Sequence, residues 1–411
     1  MPLLSSYPAL QDRRFRRLIL ATAVSLTGSA VSAAVLPLYI LAITGSAALT
    51  GVIATIRLIG LVPAQLVAGG LVDKFSGLRV RVIGDAVKSI CVLAAAATVM
   101  SAGSLALITV LLAIESIVGA ILAPATVSMF RAWLPEASLK SAFSIWSFLF
   151  ASTAVIGPPV AAVVYHYAGA GIAYLLDAAT YLLSVAVLAQ LAISLKSRAN
   201  PPVEATERTP LLRSIASGMR HVVSQTFLRN YIFSVAVVNF TSAMMLFGLT
   251  VVLAQQSESV YGAGMAAIAF AGVAGSLLGV KVPDKRHYLQ AALVSFVYGA
   301  CMIGGAVLPA WPVLLTLFAI SSVVSGALNV SLNSHVMQLV QPDLVGRVQS
   351  SLLVIGGSLY PFAASLTGVL IEYFSVSVML IVASALTAIP LLWLGGHAYV
   401  EWRSKDVTAP R

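Results

Sequence analysis

The chain has 411 residues, of which 59% are hydrophobic and 9% charged, with a formal net charge of +10 and a mean hydropathy of +0.98. Soluble domains average about 25% charged residues, so this chain has too little polar surface to face water and lipid must be its solvent. A soluble globular domain is thereby excluded. Cys91 and Cys301 lie in separate apolar runs without metal-ligand spacing, which argues against a disulfide framework or a zinc site.

Arg13, Arg14, Arg16 and Arg17 open the chain and precede an apolar run over 18–43. That run exceeds the ~7–15-residue core of a secretory signal and reads as a first span that stays in place. It carries Thr22, Ser25, Ser29 and Ser32 at three- and four-residue spacing, hence on one helix face. A second span over 48–72 holds Arg57 and runs into a basic loop with Asp73, Lys74, Arg79 and Arg81. A third span, 82–100, starts with Asp85 and Lys88; a fourth, 105–127, holds Glu115. A fifth, 142–165, contains Pro158 and Pro159, and a sixth, 169–194, contains Asp177.

The stretch 195–228 is the one long polar segment. Its second part sets Leu211, Ile215, Met219 and Val222 at helical spacing with Arg213 and Arg220 between them, the pattern of an amphipathic helix on the cytosolic membrane face. Spans then follow over 229–254, with Asn239, Met244, Met245 and Phe247, and over 259–282, with Gly275 and Gly279 spaced for helix packing. Asp284, Lys285 and Arg286 form the next loop. Spans nine and ten cover 289–308 and 311–339, the latter with Ser322, Ser325, Asn329 and Asn333 on one stripe. Arg347 precedes span eleven, 348–371, and span twelve covers 376–397. The expected fold is all-α and integral to the membrane. Twelve transmembrane helices form two six-helix bundles, residues 1–194 and 229–411, joined by a cytosolic linker at 195–228.

Every Lys and Arg except Arg57 falls in the N-terminal arm, alternate loops, helix ends on one side, or the C-terminal tail. By the positive-inside rule both termini are cytosolic. The positive charge then belongs to loops against anionic headgroups, and nucleic acid is not an expected partner. The halves also match in their loops: Leu134-Pro135-Glu136 after span four corresponds to Gln341-Pro342-Asp343 after span ten, and Asp73-Lys74 to Asp284-Lys285-Arg286. Parallel six-helix halves are one common way to build a transporter with a site near midplane.

Arg57, Glu115 and Asp177 sit about eight to ten residues into spans that enter from the outer face. At 1.5 Å per residue this is ~12–15 Å deep. An ionisable group there costs at least ~2.5–3.5 kcal/mol and must be paired or wet. The three form either a proton or substrate site, or buried ties between helices: Glu115 is expected to be the proton-coupling acid, its protonation switched by movement of Arg57, and Asp177 to be a structural tie and the next acid to test. The histidines (His166, His221, His287, His335 and His397) look scattered and lone. No Ser/His/Asp set, metal cluster or phosphate loop appears, so neither an enzyme nor a cofactor is expected.

The sequence resembles the major facilitator superfamily and, within it, the macrolide-efflux-like branch of drug–proton antiporters. The resemblance rests on a loose form of the loop signature between spans two and three (Gly69, Leu71, Asp73, Lys74, Gly77, Arg79, Arg81), on the Asp85 and Lys88 pair, and on Gly346-Arg347-Val348. Gly157-Pro158 resembles the start of the antiporter signature, with Ala161 and Ala162 in place of its two glycines. The resemblance implies a carrier working by alternating access that exports an amphipathic small molecule against a proton gradient. It also implies a monomer in a bacterial plasma membrane, with protons, the substrate and the lipid bilayer as its partners. It sets Ser25, Ser29, Ser32, Asn239, Asn329 and Asn333 at the substrate cavity. Asp73, Arg79, Arg81, Asp85, Lys88, Asp284, Arg286 and Arg347 form the cytosolic gate, Asp73 facing the N-terminus of span eleven; simple topology anchoring is the competing account of Arg79 and Arg81. A siderophore or natural-product exporter and a lipid-like flippase share the fold. A non-transporting membrane scaffold or sensor is the alternative from another class.

Topology generates the first prediction. A reporter fused after Arg411, or inserted within 200–208, is cytosolic, and an outside signal from either fusion overturns the map.

Overall fold

The computed structural model of the protein describes residues 7–196, 219–220, 222–283, 285–340, 348, 352 and 354–407. Lipid offers no partners for backbone N–H and C=O groups, so spanning segments must satisfy them internally. The described regular structure is accordingly helical: α1 (Arg13–Thr44), α2 (Ala47–Ile59), α3 (Leu61–Phe75), α4 (Gly77–Met100), α5 (Leu105–Trp133), α6 (Glu136–Lys196), α7 (Thr226–Ala254), α8 (Glu258–Gly279), α9 (His287–Val307), α10 (Trp311–Leu339), α11 (Tyr360–Tyr373) and α12 (Val376–Val407). Among the described residues, eleven continuous stretches are long and apolar enough to cross a membrane.

One of them holds two spans. At 61 residues α6 would be about 90 Å long if straight, three times the ~30 Å of hydrocarbon. It turns at Gly169, whose φ of 76° and ψ of 174° are open to glycine and strained for other residues. The break falls where the fifth and sixth spans were expected to divide, and it brings the number of spans to twelve. The second expected span instead comprises α2 and α3, interrupted at Gly60. Several helices overrun their apolar cores, α5 to Trp133 and α12 to Val407, because a helix continues into the polar headgroup layer where its charged turns are solvated. Of the expected linker, most residues, including the first two turns of its amphipathic helix, lie outside those described.

Chain packing defines two compact units. Unit 1 comprises residues 1–42, 56–208 and 257–266; unit 2 comprises 43–55, 209–256 and 267–411. In unit 1, Phe130 of α5 receives the edges of Phe15 and Trp146 at ring-centroid distances of 5.2 and 5.8 Å, which locks one end of α1 against α5 and α6. The first turns of α8 also belong to this unit: Tyr261 donates to the Ala34 carbonyl at 3.1 Å.

In unit 2, α2 lies along α11 at backbone contact. A Cβ on Gly51 would collide with the Ala364 carbonyl oxygen, and one on Gly368 with that of Ala47. Small residues allow such an approach, and dispersion and polar contacts then hold the pair in lipid. Thr55 donates to the Pro361 carbonyl at 2.6 Å and Ser365 donates to Thr55 at 2.7 Å. At the end of this seam Glu372 accepts from Ser46 Oγ at 2.6 Å and from the Ala48 N–H at 2.8 Å. A carboxylate there satisfies orphan donors of the first turn of α2 and complements its dipole.

The seam predicts that Gly51→Leu destabilises the protein by about 1–3 kcal/mol, the range for overpacking a filled contact. Thermal unfolding of the purified protein, with the exposed Val52→Leu as control, reads the difference.

Candidate functional site

Three helices of unit 1 each present three residues at i, i+4 and i+7, the spacing that stacks side chains on one face. They are Ser25, Ser29 and Ser32 on α1, Arg81, Asp85 and Lys88 on α4, and Asp177, Tyr181 and Ser184 on α6. The faces meet rung by rung. In the first rung Arg81 donates to Asp85 Oδ2 at 2.9 Å, to Thr126 at 3.1 Å and to Ser25 Oγ at 3.1 Å, while Ser184 donates to Asp85 Oδ2 at 2.6 Å. Both members of this ion pair are buried.

The middle rung centres on Glu115 of α5. Its Oε1 lies 2.9 Å from Lys88 Nζ and its Oε2 3.2 Å from Arg57 Nη2. Tyr181 donates to Oε1 at 2.8 Å, and Ser29 Oγ lies 2.5 Å from the Tyr181 oxygen. Arg57 Nε is held by Ser116 Oγ at 2.8 Å. Lys88 Nζ also stands 4.3 Å from the Tyr181 ring centroid, a cation–π arrangement that fixes the ammonium a second time. Two cations around one carboxylate leave this rung with a surplus positive charge, in surroundings where Glu115 is 4% exposed.

The third rung differs in kind. Asp177, 1% exposed, accepts from Ser32 and, at 3.5 Å, from Thr180, and among the described residues it forms no ion pair. It is among the residues that line a cavity of about 410 Å³, together with Val24, Val31, Val160 and Leu176. Hydroxyl partners suit a carboxyl in either protonation state, because the Ser32 oxygen can donate to a carboxylate or accept from a carboxylic acid.

The sequence reading joined Arg57 to Glu115 by shared depth and opposite charge, and the structure sets them in an ion pair. It placed Lys88 at a helix end with Asp85. That is corrected here: Lys88 lies halfway along α4 and reaches Glu115, while Asp85 pairs with Arg81, one turn away on its own helix. The spacing of seven between Arg81 and Lys88 keeps both on the buried face, so Arg81, Asp85 and Lys88 are inside unit 1 rather than in the loop. Arg79 is exposed. The Asp73 side chain, Asp284 and Arg347 lie outside the described set. Arg286 is exposed and takes a left-handed φ of 58° before α9. Tyr181, Ser184, Ser116 and Thr126 went unnoticed in the sequence, although the i, i+4, i+7 run from Asp177 was available to find two of them.

Among the described residues, unit 2 carries no such charges at depth. Asn239 donates to the Gly356 carbonyl at 3.0 Å and Asn329 to Ser325 Oγ at 2.9 Å, while Met244 and Met245 are buried in the core. Asn329 and Asn333 line a cleft of about 470 Å³. Gly275 and Gly279 abut the backbone of Val323 and Ala327, as packing requires. The histidines are not all lone: His287 stacks on His335 at 3.5 Å, and His397 stacks on Tyr288 at 5.4 Å. Residues far apart in sequence meet there at the ends of α9, α10 and α12.

The family model described as Major Facilitator Superfamily matches residues 18–364. The multidrug efflux pump Tap of Mycobacterium tuberculosis is 24% identical over 371 residues, 86% of each chain. An uncharacterized MFS-type transporter, YkuC of Bacillus subtilis, is 24% identical over 302 residues, covering 69% of this chain and 68% of that one. Among solved structures, a POT family transporter superposes with a TM-score of 0.72 at 11% identity, covering 97% of both chains. The nucleoside transporter NupG gives 0.70 at 12% identity, covering 94% of this chain and 99% of its own. These likenesses are of fold.

The middle rung generates a stability prediction. Glu115→Gln strands two buried cations and costs about 3–5 kcal/mol, whereas Lys88→Met removes the surplus charge, leaves Glu115 paired with Arg57 and costs clearly less. The double variant loses clearly less than the sum, because the two residues share one interaction. Denaturation of the three purified variants measures this.

Proposed function

This chain belongs to the major facilitator superfamily, and we propose that it is a proton-coupled exporter of amphipathic small molecules that works by alternating access. The observation that carries the coupling is the division among the buried acids of unit 1. Asp85 and Glu115 are tied to cations, whereas Asp177 has hydroxyl partners and a cavity at its side. A group that must take up and release a proton in each cycle needs partners that accept both forms and a path to it. Asp177 has such partners, and the cavity beside it is the path we assign; Glu115, clamped by Lys88 and Arg57, serves as the fixed charge that holds α2, α4 and α5 together. Export rather than import, and a drug-like cargo, are drawn from the likeness to the multidrug efflux pump Tap.

Alternating access requires a seam that opens. In the proposed topology the start of α2 is its outer end, so the α2–α11 seam of Gly51, Gly368 and Glu372 is the outer closure. Glu372 is exposed, so its bonds to Ser46 and Ala48 can be exchanged for water without stranding a charge.

Asp177→Asn keeps shape and hydrogen bonding and removes titration. In proteoliposomes the variant is folded and binds a fluorescent amphipathic substrate, yet no longer concentrates it under an imposed pH difference; accumulation as in the unaltered protein would sink the assignment. For the seam, Glu372→Gln is combined with Thr50→Cys, a buried position on α2, in a background where Cys91 and Cys301 are alanine. A membrane-impermeant maleimide added outside labels this cysteine several-fold faster than in the Glu372 parent, and equal rates would remove the seam from the mechanism.

A further inference from the structure

The charge cluster of unit 1 has no counterpart among the described residues of unit 2, which instead hold an uncharged polar cleft. We infer that this cleft binds the polar group of the cargo, and that this group is a neutral, hydroxyl- or carbonyl-bearing one, such as a sugar or polyol, rather than an ammonium or an acid. The inference rests on the transporter reading and gives its substrate a chemical class.

Two spaces make up the site. The larger, about 470 Å³, is lined by Ser276, Ser322, Asn329 and Asn333 together with the glycines Gly272 and Gly326. The smaller, about 70 Å³, is lined on its polar side by Asn239 and Ser242. Tyr298, Ser325 and Asn329 line both. The larger volume is within the ~300–1,000 Å³ of ligand pockets, with room for a sugar ring and its substituents. Gly326 lets the α8 and α10 backbones approach, since a Cβ there would stand 2.5 Å from the Gly272 carbonyl oxygen and 2.9 Å from the Ser276 nitrogen, whereas a Cβ on Gly272 would meet open space; the amides and hydroxyls shape the rest of the wall.

The chemistry of the lining selects the ligand. No Asp, Glu, Lys, Arg or His is among the residues that line either space. A charged group entering would meet no counter-ion among these residues, so nothing in the lining offsets whatever hydration it gives up. A hydroxyl or carbonyl meets groups of its own kind. Asn329 has one N–H engaged with Ser325, and its carbonyl oxygen has no protein donor among the described residues. Ser322 likewise has no protein partner there. Asn amides and Ser hydroxyls both donate and accept, the complement a polyol requires. A site built to hydrogen-bond a ligand hydroxyl rejects an analogue that lacks it, because its own polar groups are left unpaired.

The test uses the full chain in lipid nanodiscs and three dansyl-alkyl probes that share one tail and differ in head: glucosyl, trimethylammonium and sulfonate. Direct binding is followed by dansyl fluorescence. The glucosyl probe binds at least tenfold more tightly than either charged probe. Asn329→Ala and Ser322→Ala each weaken it about tenfold, the loss of one hydrogen bond to a desolvated group, while their melting temperatures stay near that of the parent. Asn329→Asp moves the preference toward the trimethylammonium head. Equal or better binding of a charged head, absence of glucosyl binding, or unchanged affinity in both alanine variants overturns the inference. Proton-driven accumulation is measured on the same proteins. Glucosyl binding without accumulation counts against the exporter reading and leaves the site standing; accumulation untouched by the alanine variants does the reverse.

Discussion

Burying Glu115 in a lipid-solvated bundle is the constraint around which unit 1 is organised. A carboxylate left alone at that depth would cost several kcal/mol, and three helices supply what removes the cost: Lys88 from α4, Tyr181 from α6 and Arg57 from α2. Each partner needs support in turn. Arg57 is steadied by Ser116, Tyr181 by Ser29, and Lys88 by the Tyr181 ring. Satisfied networks of this kind set register strictly, because a shift of any helix by one residue would turn its polar face toward apolar neighbours.

The same logic explains why the rungs differ. Charge pairing makes the first two rungs rigid, since removing one partner strands the other. Asp177 is tied by hydroxyls, and hydroxyls can reverse the direction of a hydrogen bond at little cost. In the proposed mechanism fixed charges hold the scaffold while Asp177 changes state, the separation of duties a proton-coupled carrier needs. Unit 2 divides its work otherwise, with an uncharged polar cleft and a glycine-lined seam.

That seam depends on backbone contact rather than on charge. Gly51 and Gly368 let α2 and α11 approach until Thr55 and Ser365 reach across. The carboxylate at its end is exposed, so it adds orientation where water competes and little grip. In the proposed mechanism a contact of many small terms closes firmly without a deep trap, so that the helix pair parts and returns.

Much of the architecture was determined by the sequence alone. Apolar runs of about twenty residues, a single long polar interruption and one-sided basic loops lead to twelve spans, because lipid tolerates few other arrangements of backbone. The depth of Arg57 and Glu115 also follows from counting residues at a fixed rise, and with it their pairing. Tertiary structure alone decided the partners of Lys88 and Asp85: spacing on α4 allows Asp85 to meet either neighbour, and only the approach of Glu115 on α5 and Ser184 on α6 settles the choice. The His287–His335 stack and the bonds from Ser46 and Ala48 to Glu372 belong to the same class. Periodicity along one helix reports which side chains share a face, whereas which faces meet depends on packing among segments hundreds of residues apart.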